Sequence, residues 1–438
     1  MSWPPAFPIL SILVWTPAAF ALLSIAAGEN REGLRRKISL GSAALSLALA
    51  CALVAFDPGA DHRELRRWIP ALGLAYDLRT DGFGSILTLW IALLSLLSLL
   101  AEESRDLGRG AVALILLAET SLFGLLTAAD GVLFLAFYGA GLLAVTILLG
   151  RDREMKTFFF FQSAGAALAA LFLAVSYHLA WTQTGFPSAE IARFSSLVVF
   201  PDLQGRMFLV GGAALAFAAP LFPLGGWVPR ATSTLTPSGR LVLVGAWSLA
   251  GTLFFVRVVS PSLGTSESAP WLMGAAALSP LYAALAPRRS GEIPWAPLLV
   301  GSQGLVVLGL LSSAARGVAY GRAGMLQLAL GLSVLALWKG DSEDARGPGA
   351  TSLIAVAMFL PTSWLVLREQ WITAPALTAL AGGGLLLMLA RLARSLPRLS
   401  RRRWALLLPI LGFWVYALLV PSSFAPRDSE TPVTLEEE

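Results

Sequence analysis

Long apolar stretches alternate with short polar joints along almost the whole 438-residue chain. Runs of spanning length fall near 6–27, 38–56, 83–101, 110–127, 131–150, 157–180 and 207–224. Further runs fall near 239–260, 270–287, 295–314, 321–338, 351–367, 374–392 and 403–421. This pattern predicts an all-α polytopic membrane protein of about fourteen transmembrane helices by the spanning-length rule. One joint, 57–82, is longer and different. Within it Trp68-Ile-Pro-Ala-Leu-Gly-Leu-Ala-Tyr-Asp-Leu alternates, which predicts a short hairpin. The seventh run is interrupted by Pro220, Pro223 and Pro229 around Gly225-Gly226-Trp227. Arg230, Thr232, Ser233, Thr234 and Thr236 follow, before an eighth run that ends at Arg257. Prolines free backbone groups that lipid cannot satisfy, so broken spans occur where protein or a water-filled cavity surrounds them. The twelfth run carries a second break at Leu360-Pro361.

Composition and charge narrow the picture. The chain is 56% hydrophobic and 13% charged, and its basic balance sits in short loops. The clusters are Arg31/Arg35/Arg36/Lys37, Arg151/Arg153/Lys156, Arg288/Arg289 and Arg391/Arg394/Arg398/Arg401/Arg402/Arg403. About two-thirds of all Lys and Arg fall on that side, which places those loops in the cytoplasm and both termini outside. The charge therefore reports topology and not nucleic-acid binding. The first run has no basic leader or small-residue cleavage site and reads as a retained span. The stretch after Ser422, ending Glu436-Glu437-Glu438, reads as disordered. The single Cys51 lies in an apolar run and supports neither a disulfide nor a metal site. With no Cys cluster, Gly-rich nucleotide loop or haem ligand pair, no catalytic, cofactor or metal residues are expected.

Proton movement through lipid needs ionisable groups near the midplane, and few are present. Glu119 stands inside the fourth run. Asp130 follows it in a short turn and reads as a helix cap. His178 lies near the outer end of the sixth run and reads as interfacial. Arg240 opens the eighth run beside the interruption, and Arg257 closes it, positioned to snorkel. Arg368-Glu369 follow the twelfth run. Glu119, Arg240, Arg257 and Glu369 are the proton-path candidates.

The stretch Ala216-Phe217-Ala218-Ala219-Pro220-Leu-Phe-Pro223-Leu-Gly-Gly226-Trp227-Val-Pro229 resembles the seventh-helix motif of the antiporter-like membrane subunits of respiratory complex I, most like the M-type subunit. The large subunits of Mrp-type cation/proton antiporters belong to the same family. Glu119-Thr-Ser-Leu-Phe-Gly through Asp130 to Tyr138-Gly139 is similar to the family's fourth and fifth helices. Together with the helix count, the resemblance implies two inverted five-helix repeats, with helices 7 and 12 broken. It divides the chain into 1–105 (helices 1–3 with the outward 57–82 loop), 106–261 (first repeat), 262–392 (second repeat) and 393–438 (helix 14 and an acidic tail). No long lateral helix follows the fourteenth run, unlike the L-type subunit.

Several of the family's charges are not matched. Its fifth-helix glutamate falls on Gly139, its broken-helix lysine on Ala218 and its eighth-helix lysine on Leu249. The pre-sixth-helix lysine falls on Thr157, beside Lys156. The tenth- and eleventh-helix histidines fall on Ser302 and Leu330. Arg257 and the acid at Glu369 are retained. Losing one member of a buried ion pair would strand its partner at a cost of about 3–5 kcal/mol. Gly139 and Ala218 are both neutral, so the pair is absent as a unit, and both are small enough to allow close helix packing.

The resemblance implies a membrane subunit of a complex I-like, proton-translocating assembly, with a degenerate proton channel and a structural or coupling role. The partners it implies are other membrane subunits and the lipid of a bacterial inner membrane, with no cofactor on this chain. The alternative is a component of an Mrp-like antiporter or an inorganic-carbon-uptake transporter.

Overall fold

The structure is a computed structural model. It describes residues 8–27, 31–56, 62–101, 109–150, 153–228, 242–243, 246–263, 270–285, 295–312, 318–319, 321–325, 363, 365–368 and 374–393. The described chain is mostly helical. The helices are α1 (Ile9–Ala26), α2 (Glu32–Phe56), α3 (Gly82–Ala101), α4 (Arg109–Thr127), α5 (Gly131–Leu148) and α6 (Arg153–Thr184). A single turn, α7 (Ile191–Phe194), leads to α8 (Pro201–Ala218). Beyond the interruption come α9 (Ala250–Phe254), α10 (Ser260–Leu263), α11 (Pro270–Leu285), α12 (Trp295–Leu310) and α13 (Pro375–Ala393). Six helices, α1 to α6, are long and apolar enough to cross a membrane. They coincide with the first six runs. Arg240, Glu369, Pro229 and Leu330 lie outside the described residues, as does the Leu360-Pro361 break.

Between α2 and α3 the chain forms the expected hairpin. β1 (His62–Ile69) pairs antiparallel with β2 (Leu74–Thr80). Gly73 turns it at φ 62°, where a side chain would also run into the Pro187 carbonyl. The hairpin ties several elements together. Glu64 accepts from the Leu10 and Ser11 backbone N–H groups at 2.6 and 3.1 Å, supplying α1 with the cap its own sequence lacks. Asp130 caps α5 as the sequence suggests, accepting from Val132 N–H at 2.8 Å and Leu133 N–H at 3.1 Å. Its second oxygen accepts from Ala75 N–H of β2 at 3.1 Å. Arg63 bridges Asp77 and Glu190, at 2.6 Å to each. The hydrogen bond to Asp77 and the two carboxylate charges hold that guanidinium still more firmly protonated.

The interior is aromatic where α5, α6 and α8 meet the segment after the interruption. Phe134 and Phe172 both pack on Phe254, with centroids 5.9 and 5.8 Å away, and Phe208 meets Phe255 edge-on at 6.0 Å. The eighth run is less regular than one continuous helix. A 3-10 turn at Trp247–Leu249 leads into α9, and the chain then widens to a π-helical turn over Phe255–Val259. That turn carries Arg257.

Candidate functional site

α8 stops where the proline motif begins. Ala219 leaves the helix with ψ 142°, and its N–H still reaches Leu215 O. Pro220 is buried, the Phe222–Pro223 bond is cis, and Leu224–Trp227 forms a 3-10 turn. The groups freed by the break find partners one by one. Phe222 N–H donates to Ser279 Oγ of α11 at 3.1 Å, and Leu221 N–H to Ala219 O at 2.8 Å. Gln162 of α6 donates through Nε2 to Ala218 O at 2.8 Å. Trp227 is fully buried, edge-on to Phe158 at 5.3 Å. Pro223 is exposed and lies off the interior. The break is thus supported by side chains from neighbouring helices, which is the condition for irregular backbone at membrane depth.

Gln162 joins two of the positions singled out in the sequence. Its Oε1 accepts from the Tyr138 hydroxyl at 2.8 Å, and its amide nitrogen holds the carbonyl of Ala218. Tyr138 is the neighbour of Gly139 and packs on Trp247 at 5.5 Å. A neutral relay, Tyr138–Gln162–Ala218, therefore links helices α5, α6 and α8. Ala218 itself is closed in. A Cβ built on Gly165 would lie 2.9 Å from the Ala218 Cβ, and one on Gly251 would lie 2.7 Å from it. α6 and α9 approach Ala218 closely because both facing residues are glycine.

Gly139 is different. It is half-exposed, and a Cβ there would meet nothing within 4 Å. The expectation of tight packing holds at Ala218 and is corrected at Gly139. The reason is orientation: α5 buries Tyr138 and turns Gly139 toward its open side. Leu249 and Ser302 are buried. Beside Ser302, Gln303 of α12 donates to the Thr252 hydroxyl of α9. The Ser302 hydroxyl and Gln303 Oε1 have no hydrogen-bond partner.

The two described proton-path candidates do not meet. Glu119, 3% exposed, turns toward α3, where Ser95 donates to its Oε2 at 2.7 Å. Ser46 of α2 faces its other oxygen, near enough for its hydroxyl to interact with the carboxylate, although the pair falls short of full hydrogen-bond geometry. Arg257 turns inward and does not snorkel. Its guanidinium donates to Leu125 O at 2.7 Å and Arg79 O at 3.4 Å, tying the π turn to α4 and the hairpin. His178 is exposed, as its interfacial position suggested. Gln162 was the residue missed by sequence reasoning. Its signal was a lone amide after Phe158-Phe159-Phe160-Phe161, where an unpartnered polar group would be costly.

No family model matches the chain. It is 29% identical over 412 residues to NADH-quinone oxidoreductase subunit 13 of Thermus thermophilus, an alignment covering 85% of each protein. Its fold is similar to a chain of respiratory complex I from Thermus thermophilus with bound NADH, at a TM-score of 0.77 and 23% identity, covering 95% of this chain and all of that one. It is also similar in fold to a chain of the Mrp complex from Dietzia sp., at a TM-score of 0.78 and 18% identity, covering 95% of this chain and 51% of the other. In sequence over most of both proteins, and in fold, this chain is similar to the antiporter-like membrane subunits of complex I-type assemblies.

Proposed function

We propose that this chain is a membrane subunit of a complex I-like, proton-translocating assembly, in which it has a structural or coupling role and a degenerate proton channel of its own. The observation that carries the reading is the neutral relay at Ala218. The family pairs a broken-helix lysine with a glutamate, and a buried lysine stores a proton because desolvation and a nearby acid tune it. Here the carbonyl of Ala218 is held by Gln162, and its side chain is enclosed by Gly165 and Gly251. The loss is therefore accompanied by close packing: Gly165 and Gly251 stand against the Ala218 side chain, and the neighbouring polar groups bond to one another.

The finer architecture belongs to the same proposal. Fourteen spans, inverted repeats over 106–261 and 262–392, a second break in helix 12, and an inner-membrane location with both termini outside follow from the run count, the loop charges and the family. Redox chemistry, if the assembly performs any, resides on other subunits. The likeness to a chain of the Mrp complex favours one alternative, a component of a cation/proton antiporter.

Purifying the native assembly and identifying its subunits separates these readings. Quinone-reductase or hydrogenase partners support the first, and antiporter partners alone support the second. In proteoliposomes the isolated subunit should show no proton flux above that of empty vesicles. Robust flux would overturn the degenerate-channel reading.

A further inference from the structure

The buried face of α2 changes character halfway along. Its interior positions are Arg35, Ser39, Ser42, Ala43, Ser46, Ala50 and Leu53, spaced to lie on one side of a helix. From the Arg-rich end as far as Ser46 that face is largely polar, and beyond Ser46 it is apolar. Arg35 is 6% exposed, Ser39 1%, and Ser42 and Ser46 are fully buried. Burying a guanidinium and three hydroxyls against other helices is costly unless water or polar groups meet them. Ser39 uses its proton on the Arg36 carbonyl at 3.0 Å, but the Ser42 hydroxyl has no hydrogen-bond partner among the described residues, and the Ser46 hydroxyl has only the Glu119 carboxyl to face.

The point where polarity stops coincides with Glu119. Ser46 lies about 16 Å along α2 from Arg35, and Glu119 about 15 Å along α4 from Arg109, at 1.5 Å per residue. Both helices run from the same end of the bundle. α3 adds Ser98 and Ser95 on the approach to the carboxyl, Ser98 donating to the Ser95 carbonyl and Ser95 to Glu119. Beyond Glu119, toward the hairpin, α4 buries Leu122, Phe123, Leu125 and Leu126. Of its hydroxyls there, Ser121 and Thr127 are spent on their own helix, while Thr120 Oγ1, next to the carboxyl, has no hydrogen-bond partner among the described residues. The groups facing the carboxyl are Ser95 of α3 and Ser46 of α2, with no cation among the described residues.

We infer that the polar face of α2, with Ser95 and Ser98 of α3, forms a one-sided aqueous half-channel through which Glu119 exchanges a proton with the Arg-rich face of the membrane. A proton arriving on seam water binds Glu119, whose Oε1 has no other partner, and leaves by the same route. The apolar residues beyond the carboxyl close the other side. This path lies in helices α2–α4, away from the neutral relay at Ala218. The inference rests on the membrane-spanning reading of these helices.

Cysteine accessibility in vesicles bearing the full assembly tests it. The native thiol, Cys51, is exposed on the outer face of α2 and is first removed as Cys51→Ala. Ser39→Cys, Ser42→Cys and Ser46→Cys should react with a small, charged, membrane-impermeant methanethiosulfonate added from one side only. Gly33→Cys, at an exposed position, defines that side, and Leu45→Cys, on the lipid-facing side of the same helix, should stay unlabelled. If Ser42→Cys and Ser46→Cys react no faster than Leu45→Cys while Gly33→Cys labels, the seam is dry helix packing and the inference fails. Labelling of the seam from both sides also overturns it. Labelling of Gly33→Cys from the periplasmic side overturns the sidedness of the proposed topology and leaves the seam to be judged by whether it labels with Gly33→Cys.

A second readout follows the proton itself. The pH-induced infrared difference spectrum should hold a carboxyl C=O band that disappears in Glu119→Gln. Its shift on transfer to deuterated water should slow about tenfold or more, the scale of one added barrier of hydrogen-bond size, in Ser42→Val/Ser46→Val. No such band, or an unchanged exchange rate, would exclude proton delivery along α2.

Discussion

Gln162 does three things at once: it holds the frayed end of α8, accepts the Tyr138 proton, and fills the level of the bundle where its family places charge. Gln162→Leu keeps the volume and removes both bonds. Each buried group left without a partner costs about 1–3 kcal/mol, so the variant should melt measurably lower in detergent. An unchanged melting temperature would mean that water replaces the amide. Ala218 makes a sharper case. Gly165→Ala and Gly251→Ala would each press a methyl onto the Ala218 Cβ, and overpacking of this kind costs about 1–3 kcal/mol. Ala218→Lys should be worse, because its ammonium would meet Gly165 and Gly251 at close range, with no acid among the described residues that contact Ala218. The gaps at Gly139 and Ala218 were legible in the sequence because they fall at fixed offsets from a Tyr and a Pro in long motifs. The amide that fills the gap was not, since a single polar residue in an apolar run does not indicate which neighbouring helix it faces.

At the scale of elements, the hairpin and the interruption after α8 divide the work of satisfying backbone. The hairpin's alternation was readable, but its role as a clamp was not, because its partners Leu10, Asp130 and Glu190 are far away in sequence. Asp130 offers a test. Its carboxyl is pushed above the usual range by burial, against the pull of three backbone N–H donors. A raised native value means the folded state favours the protonated acid. The stabilisation linked to that proton is complete below the ordinary carboxylate range and fades as pH rises through the raised value. Asp130→Asn keeps the cap oxygen and sheds the charge but leaves the Ala75 N–H without its acceptor, so it should cost less than Asp130→Ala and should flatten this part of the pH profile. Asp130→Ala should cost about 1 kcal/mol through the cap alone. Equal losses in the two variants would show that the charge, and not the accepting oxygen, holds the turn. The π turn at Arg257 was invisible in the apolar pattern. An extra residue in a turn leaves the hydropathy unchanged, and only the carbonyls of Leu125 and Arg79 reveal where the guanidinium is drawn.

At the scale of the molecule, the ion pairs and the buried acid of the first eight helices stand apart from the interrupted helix among the described residues. The described ion pairs, Arg63 with Asp77 and Glu190 and Arg193 with Glu190, all lie at the hairpin end. The deeply buried acid, Glu119, sits among α2, α3 and α4 and not beside the interrupted helix. The groups that meet the interrupted helix among the described residues, Gln162, Tyr138 and Ser279, are uncharged. Restoring the two missing charges should therefore fail. Gly139→Glu would extend into open space, but Ala218→Lys meets Gly165 and Gly251, so the pair cannot close across the bundle. The double variant should assemble less well and add no proton flux to reconstituted vesicles. Glu119→Gln, by contrast, should leave both the assembled level and the protons moved per turnover unchanged, because Glu119 takes up and releases its proton on the same side. A double variant that gains flux would overturn the degenerate-channel reading, and a Glu119→Gln assembly with lowered proton output would show that Glu119 passes protons across the membrane and not to one side only.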